Sequence, residues 1–279
     1  MTITAGINAL CHRALGPGTL HPRAGRNSGT SHITRVTDGR GRRYVVKIHT
    51  TLEKHQREVH AYTHWTTPAF GSHAPRLVAV DPDLPGVLLT ALPGEPADAQ
   101  APLHAHWQAG MLLRRLHDSQ PPSPLPDYAD HLASRLDQWL ATAEELLAIA
   151  EQRLVRRHIA ALADLPIPPG VPCHLDYQPH NWLIDDTGAL GIVDFEHARI
   201  DTGGRDLVRL AHRYWPGHPD RRAAFLDGYG RQLTAIEQRL LTHCAALDAV
   251  TCLVRGHQTN DARLAEHGRA TLRQLPPLP

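Results

Sequence analysis

Between Cys173 and Ala198 the chain reads CHLDYQPHNWLIDDTGALGIVDFEHA, with three His, four Asp, one Asn and one Glu in 26 residues. Two chemistries use such a set. His174, Asp176, His180, Asp194 and His197 are all possible zinc or iron ligands, which would make a metallohydrolase. Alternatively, His174-Leu175-Asp176 is followed by Asn181 five positions after the Asp, and by Asp194 thirteen further on, at the end of the apolar run LGIVD. Phosphoryl transfer needs that second pattern: a carboxylate to orient the attacking hydroxyl, and hard oxygen ligands for the Mg²⁺ that neutralises phosphate charge. Asp176 is then the catalytic carboxylate, and Asn181 and Asp194 are the metal ligands. A loop followed by a hairpin brings both ligands to one side.

Composition favours the second reading. Of 29 Lys plus Arg, only Lys47 and Lys54 are Lys, a bias expected of a GC-rich genome, so a retained Lys stands out. Lys47 lies in the alternating run YVVKIH, and a helix carrying Glu58 follows, where an ion-pair partner for a phosphate-binding lysine is expected. The stretch NSGTSHI at 27–33 precedes it. Ser28, Gly29, Thr30 and Ser31 are small enough to let backbone N–H groups approach a phosphate, although Gly29 is the single glycine there. With 21 His in the chain, no single His is informative.

These residues must be positioned by recognisable elements. Residues 1–15 predict a short helix, 31–49 a hairpin turning at Asp-Gly, and 51–65 a helix capped by Thr51. PRLVAV and GVLLTAL read as two more strands. Composition changes at PGEPADAQAP (93–102), after which helices dominate, including one long helix predicted from Tyr128 to about Ala150. NWLID and LGIVDF form a hairpin, and 205–215 and about 220–273 read as helical. The chain is thus α+β, with a strand-rich N-terminal lobe at 1–92 and a mainly helical C-terminal lobe at 93–279, and a ligand cleft between them.

Taken together, REVHAYTHW, VLLTALPGEP, MLLRRLHDS, CHLDYQPHNWLID, IVDFEHARI and GRDLVRL resemble the aminoglycoside phosphotransferase and choline kinase-like family over about residues 25–215. The resemblance implies a protein kinase-like two-lobe fold and transfer of a phosphate from ATP, with GTP possible, in the presence of Mg²⁺. It implies Asp176 as catalytic Asp, Asn181 and Asp194 as Mg²⁺ ligands and Lys47–Glu58 as the ion pair. Thr90, Ala91 and Leu92 match the hinge that meets adenine through its backbone, Ile33 and Val45 roof the base, Leu183 floors it, and Asp206 braces the catalytic loop. Leu175 stands where the family usually has Gly, the nucleotide loop is poor in Gly, and DFE replaces the DFG of protein kinases, with no APE after it. A protein acceptor is therefore not expected.

Formal net charge is +1 and no basic run is interleaved with aromatics, so neither nucleic acid nor an anionic membrane is an expected partner. No apolar run reaches the ~20 residues that span a bilayer, the start does not read as a signal peptide, and the four Cys are widely spaced, which together predict a cytoplasmic protein. The expected acceptor is a small cationic antibiotic, an aminoglycoside or a tuberactinomycin peptide, and its phosphorylation would confer resistance. A metabolic kinase for choline, homoserine or a sugar is the alternative. A catalytically dead kinase-like binding module is a third reading. Among the acidic residues that could meet a cation, namely Asp130, Asp137, Glu144, Glu196, Asp227, Asp248, Asp261 and Glu266, Glu196 is singled out because it lies two residues after Asp194. Support of the metal site is its other role. Tyr214 and Trp215 could add an aromatic wall.

Overall fold

Residues 3–16, 23–28, 31–98, 100–143 and 145–278 are described by the structure, a computed structural model, with backbone alone for residue 3 and residues 23–28. Five antiparallel strands, β1 (Arg23–Ser28), β2 (Ser31–Thr37), β3 (Arg43–His49), β4 (Leu77–Val80) and β5 (Gly86–Thr90), form a sheet in the order β1-β2-β3-β5-β4. Strand periodicity divides β3 cleanly. Tyr44, Val46 and Ile48 join Ile7, Leu10 and Cys11 of helix α1 (Ile3–Leu15) in a small core. Lys47 and His49 point the other way, toward α2 (Leu52–His64), where both contact Glu58. The Thr51 hydroxyl caps α2 by accepting from the Lys54 amide at 3.3 Å.

A short three-stranded sheet follows, β6 (Glu95–Pro96), β8 (Trp182–Ile184) and β9 (Leu190–Ile192), together with a pair made by β7 (Gly170–Cys173) and β10 (Arg199–Thr202). Around them pack α4 (Leu103–His117), α5 (Tyr128–Thr142), α6 (Ile149–Ala160), α7 (Pro219–Tyr229), α8 (Ala235–Gln258) and α9 (Ala262–Gln274). Their apolar faces form one large core. It also takes in Tyr62 of α2, Phe70 of the short helix α3 (Thr66–Phe70), and Val87 and Leu89 of β5.

The long helix expected from Tyr128 to about Ala150 is two helices. The Glu151 carboxylate accepts the Ala148 amide at 2.8 Å and starts α6 afresh, while Arg269 of α9 takes the Leu146 carbonyl. Glu144 lies outside the described residues. The expected helix at 205–215 is a 3₁₀ turn, Gly203–Leu207, and a π turn, Leu210–Tyr214. Helical residues near 220–273 form three helices, broken where Gly230 and Asn260 take positive φ. Of the stretch 27–33, read as a nucleotide loop, residues 27–28 end β1 and residues 31–33 begin β2. Ser28 and Ser31 are cross-strand partners, Ser31 is buried, and Gly29 and Thr30 lie outside the described residues.

Candidate active site

The alternation of β3 carries Lys47 into an ion cluster. Lys47 Nζ lies 2.9 Å from Glu58 Oε2, 2.6 Å from Asp194 Oδ1 and 2.9 Å from Glu196 Oε2. Burial opposes the ammonium charge, but the three carboxylates outweigh it and hold the Lys47 pKa well above its ordinary value. Burial likewise works against the Asp194 carboxylate, and the Lys47 ammonium overcomes it, so Asp194 stays ionised far into acid. Glu58 holds the cluster to its surroundings: Oε2 also meets His49 Nε2, and Oε1 accepts the Phe195 amide at 3.2 Å.

Asp176 and Asn181 form a second unit. The Asn181 side-chain amide donates to both Asp176 O and Asp176 Oδ2 at 2.9 Å. With its nitrogen fixed, the Asn181 Oδ1 is left as the oxygen a hard cation would use. Asp194 keeps 30% of its side chain exposed, and it holds φ +70, a conformation rare outside Gly that is stored at functional sites. Amide oxygen and carboxylate together fit Mg²⁺ rather than a thiolate- or imidazole-seeking metal. Of the alternative zinc or iron set, His174 has both ring nitrogens engaged, Nε2 with Val193 O at 3.0 Å and Nδ1 with the Asp176 amide at 3.2 Å.

The turn before Asp176 is braced from behind. Asp206 accepts the His174 amide at 3.0 Å and the Leu175 amide, and meets His117 Nε2 at 3.1 Å. Leu175 has φ +61, the left-handed conformation a Gly would take without penalty.

Two of the hydrophobic positions, Ile33 and Val45, lie on the Lys47 face of the five-stranded sheet. Ile33 pairs with Lys47 across β2–β3, and Val45 pairs with Leu89. Leu183 pairs with Gly191, and the Leu92 side chain packs where a Cβ on Gly191 would go, so Leu92 and Leu183 share one face. The Thr90 and Ala91 amides donate to Arg76 O and Arg43 O at 3.0 Å. A base meeting this hinge would use carbonyls or Leu92.

Glu196 does not face an open acceptor cleft. It is 1% exposed, with Oε1 2.8 Å from Lys54 Nζ and Oε2 against Lys47, because the backbone turn at Asp194 aims both carboxylates at the lysines. Other acidic candidates are also engaged: Asp137 with Arg156, Asp227 with Trp107, Asp248 with Arg209 and Arg213, and Glu266 with Arg273, while Asp261 caps α9. Trp215 packs in the core against Phe225, and Tyr214 OH reaches Gln178 Oε1 at 3.5 Å.

Several residues at the site escaped sequence reasoning. Lys54 carried the same signal as Lys47, the rarity of lysine, and is its neighbour through Glu196. Arg209 touches Asp176 Oδ1, and Gln178 Nε2 donates to the same oxygen. Arg213 joins Asp248 to Gln178. Arg209 lies in GRDLVRL, where only Asp206 drew attention. Nothing in the spacing marks Gln178 or Arg213.

Residues 24–243 match the model of the phosphotransferase enzyme family. The chain belongs to that family. None of the curated proteins matches this phosphotransferase. Among solved structures it is similar to a choline/ethanolamine kinase family protein from Mesorhizobium loti, with 19% identity, TM-score 0.70 and coverage of 100% of this chain and 96% of that one. It is similar to APH(2")-IIa in its streptomycin–ATP ternary complex, with 14% identity, TM-score 0.65 and coverage of 98% and 97%. It is also similar to macrolide 2'-phosphotransferase MphH from Brachybacterium faecium, with 15% identity, TM-score 0.63 and coverage of 99% and 100%. The fold of this phosphotransferase is therefore the two-lobe, protein kinase-like one.

Proposed function

We propose that this phosphotransferase moves the γ-phosphoryl group of ATP, with GTP as the alternative donor, to a hydroxyl of a small molecule. The observation that carries the reading is that two units, Lys47–Glu58–Asp194 and Asp176–Asn181, are joined by the amide of Val193, next to Asp194, which donates to Asn181 O at 3.1 Å. In this reading Lys47 meets the α- and β-phosphates, and Glu58 fixes its ammonium. Asp194 and Asn181 would hold Mg²⁺, which supplies charge neutralisation on the phosphates when bound. Asp176 orients the acceptor hydroxyl and takes its proton. The hydroxyl oxygen forms a bond to the γ-phosphorus, the bond from that phosphorus to the β–γ bridging oxygen breaks, and the nucleoside diphosphate leaves.

From the sequence the acceptor is a cationic antibiotic, an aminoglycoside or a tuberactinomycin peptide, with choline, homoserine or a sugar as the alternative. The names of the similar structures span aminoglycoside, macrolide and choline or ethanolamine, so the fold does not select among these. Glu196, the carboxylate offered to a cation, is occupied by two lysines. The proposal therefore covers any hydroxyl-bearing small molecule that fits beside Asp176.

The test is ATP and GTP consumption over a panel of such acceptors, with mass spectrometry for addition of one phosphate. Asp176→Ala is expected to lower turnover by about 10²–10⁴-fold while Mg-ATP still raises the melting temperature. Turnover near that of the unmodified protein would remove Asp176 from the mechanism.

A further inference from the structure

Four arginines gather where α2 meets the helical lobe, around the single carboxylate of Asp201 on β10. That carboxylate is heavily used. Its Oδ1 accepts Tyr128 OH and the Thr202 amide, both at 2.9 Å, while Arg199 Nη2 lies 3.0 Å from Oδ2 and Arg205 Nε 4.0 Å from Oδ1. Arg205 Nε is buried and has no hydrogen-bond partner among the described residues. Arg135 lies two turns along α5 from Tyr128, on the stripe that Tyr128 turns toward Asp201. It is half-buried, and it makes no hydrogen bond and no ion pair among the described residues. Arg57 of α2 completes the group, since its charge acts on both Arg135 and Arg199. Its own partner, Glu53, is 68% exposed.

These charges are not balanced. Four guanidinium groups meet two carboxylates, and one of the two, Glu53, faces solvent. The other acids of α5 do not help: Asp130 is exposed on the side of the helix away from Tyr128, and Asp137 pairs with Arg156. Burial, then the charges of Arg199, Arg205 and Arg57, lower the Arg135 pKa to about 10. Burial, with Arg205 and Arg57, also lowers that of Arg199 against the pull of Asp201. His131, one turn before Arg135, is lowered by burial and by the same arginines, so it adds no charge at neutral pH. Arginine does not escape such crowding by losing its proton. What relieves it is an anion with several oxygens, which guanidinium forks hold by paired N–H···O bonds.

We propose that Arg57, Arg135 and Arg199, with Arg205 behind them, form a binding site for a small oxyanion of the phosphate class. The site uses none of the groups around Lys47 or Asp176, so it does not rest on the phosphotransfer reading. Its arginines come from α2, α5 and β10, so a bound anion ties α2 to the helical lobe. Glu58 follows Arg57 directly, and the same tie steadies the partner of Lys47. Free phosphate and a phosphate monoester share this chemistry.

The experiment follows the melting temperature of the full chain, without nucleotide or Mg²⁺, in potassium phosphate, glucose 6-phosphate and potassium chloride at matched ionic strength. At about ten times its half-saturating concentration, phosphate or the ester should raise the melting temperature by about 3–6 °C beyond chloride. Whichever of the two acts at the lower concentration is the better occupant. Arg135→Gln and Arg57→Gln should each abolish the rise. Lys47 also offers phosphate a cation, so a rise that survives both substitutions belongs to the nucleotide centre and overturns the proposal. A rise no larger than that in chloride overturns it too. In chloride, Arg135→Gln should melt no lower than the unmodified protein, because it removes an unpaired charge rather than a contact. A melting temperature several degrees lower would show that Arg135 already has a partner, and the proposal would fall.

Discussion

Leu175 shows how much a single position can carry. Left-handed backbone costs a residue with a Cβ about 1–2 kcal/mol, and here the cost is met by Asp206, which accepts the amides of both His174 and Leu175. Leu175→Gly should relieve that strain but lose some of it to the greater freedom of unfolded Gly, about 0.5–1 kcal/mol. Stability by urea denaturation should change by no more than about 1 kcal/mol, with activity kept. Asp206→Ala should cost several times more, about 2–4 kcal/mol, because it strands one buried and one partly buried amide and leaves His117 without its acid. Equal losses in the two variants would show that the brace does not hold the turn. At this scale the sequence marked Lys47, Glu58, Asp176, Asn181 and Asp194 by type and spacing. It hid the groups that contact them from distant segments, because Arg209 and Gln178 owe their place to tertiary packing. Lys54 was visible as the second lysine of the chain, and Lys54→Ala should raise KM for Mg-ATP several-fold by leaving Glu196 to Lys47 alone. An unchanged KM would make Lys54 a surface strut.

Elements were legible where their pattern is local. The β2–β3 hairpin, α2 with its Thr51 cap and the β8–β9 hairpin all follow from alternation, turn residues and capping. They failed where the deciding partner is remote. The break between α5 and α6 depends on Arg269 from α9 taking the Leu146 carbonyl. β7 and β10 were missed because VPC and RIDT become strands only by pairing with each other. A close helix contact was also hidden. A Cβ on Gly228 of α7 would lie 1.9 Å from Trp107 O, and one on Gly110 of α4 would lie 2.0 Å from Phe225 O. Gly228→Ala must push α7 from α4, at about 1–3 kcal/mol as for other overpacked sites. Thermal unfolding should show a lower melting temperature, and a melting temperature equal to that of the unmodified protein would mean that the helices part at no cost.

For the molecule as a whole, acid is the sensitive direction. His106 is buried with neither ring nitrogen hydrogen-bonded among the described residues, and burial, with the nearby Arg221, lowers its pKa to about 4. His174 is also lowered by burial. Between about pH 6.5 and 4 the unfolded chain binds a proton at His106 that the folded chain refuses. Stability therefore falls as pH falls through that window, by up to about 1.4 kcal/mol per pH unit for each such site. Urea midpoints at pH 7.5 and 5 should show the drop, and His106→Phe should flatten it. A midpoint that rises toward pH 5 would contradict the burial of neutral imidazole. The large core has a further consequence. Tyr62 and Phe70 lie against Phe195 at 5.3 and 5.7 Å, so the helices that follow β3 are seated in the helical lobe. The strand-rich part is therefore not a cassette. Grafted alone onto a relative's helical lobe, it would present Tyr62, Trp65 and Phe70 to a surface shaped for other side chains, so donor and acceptor preferences cannot be recombined by exchanging lobes unless the residues facing α2 and α3 travel with them.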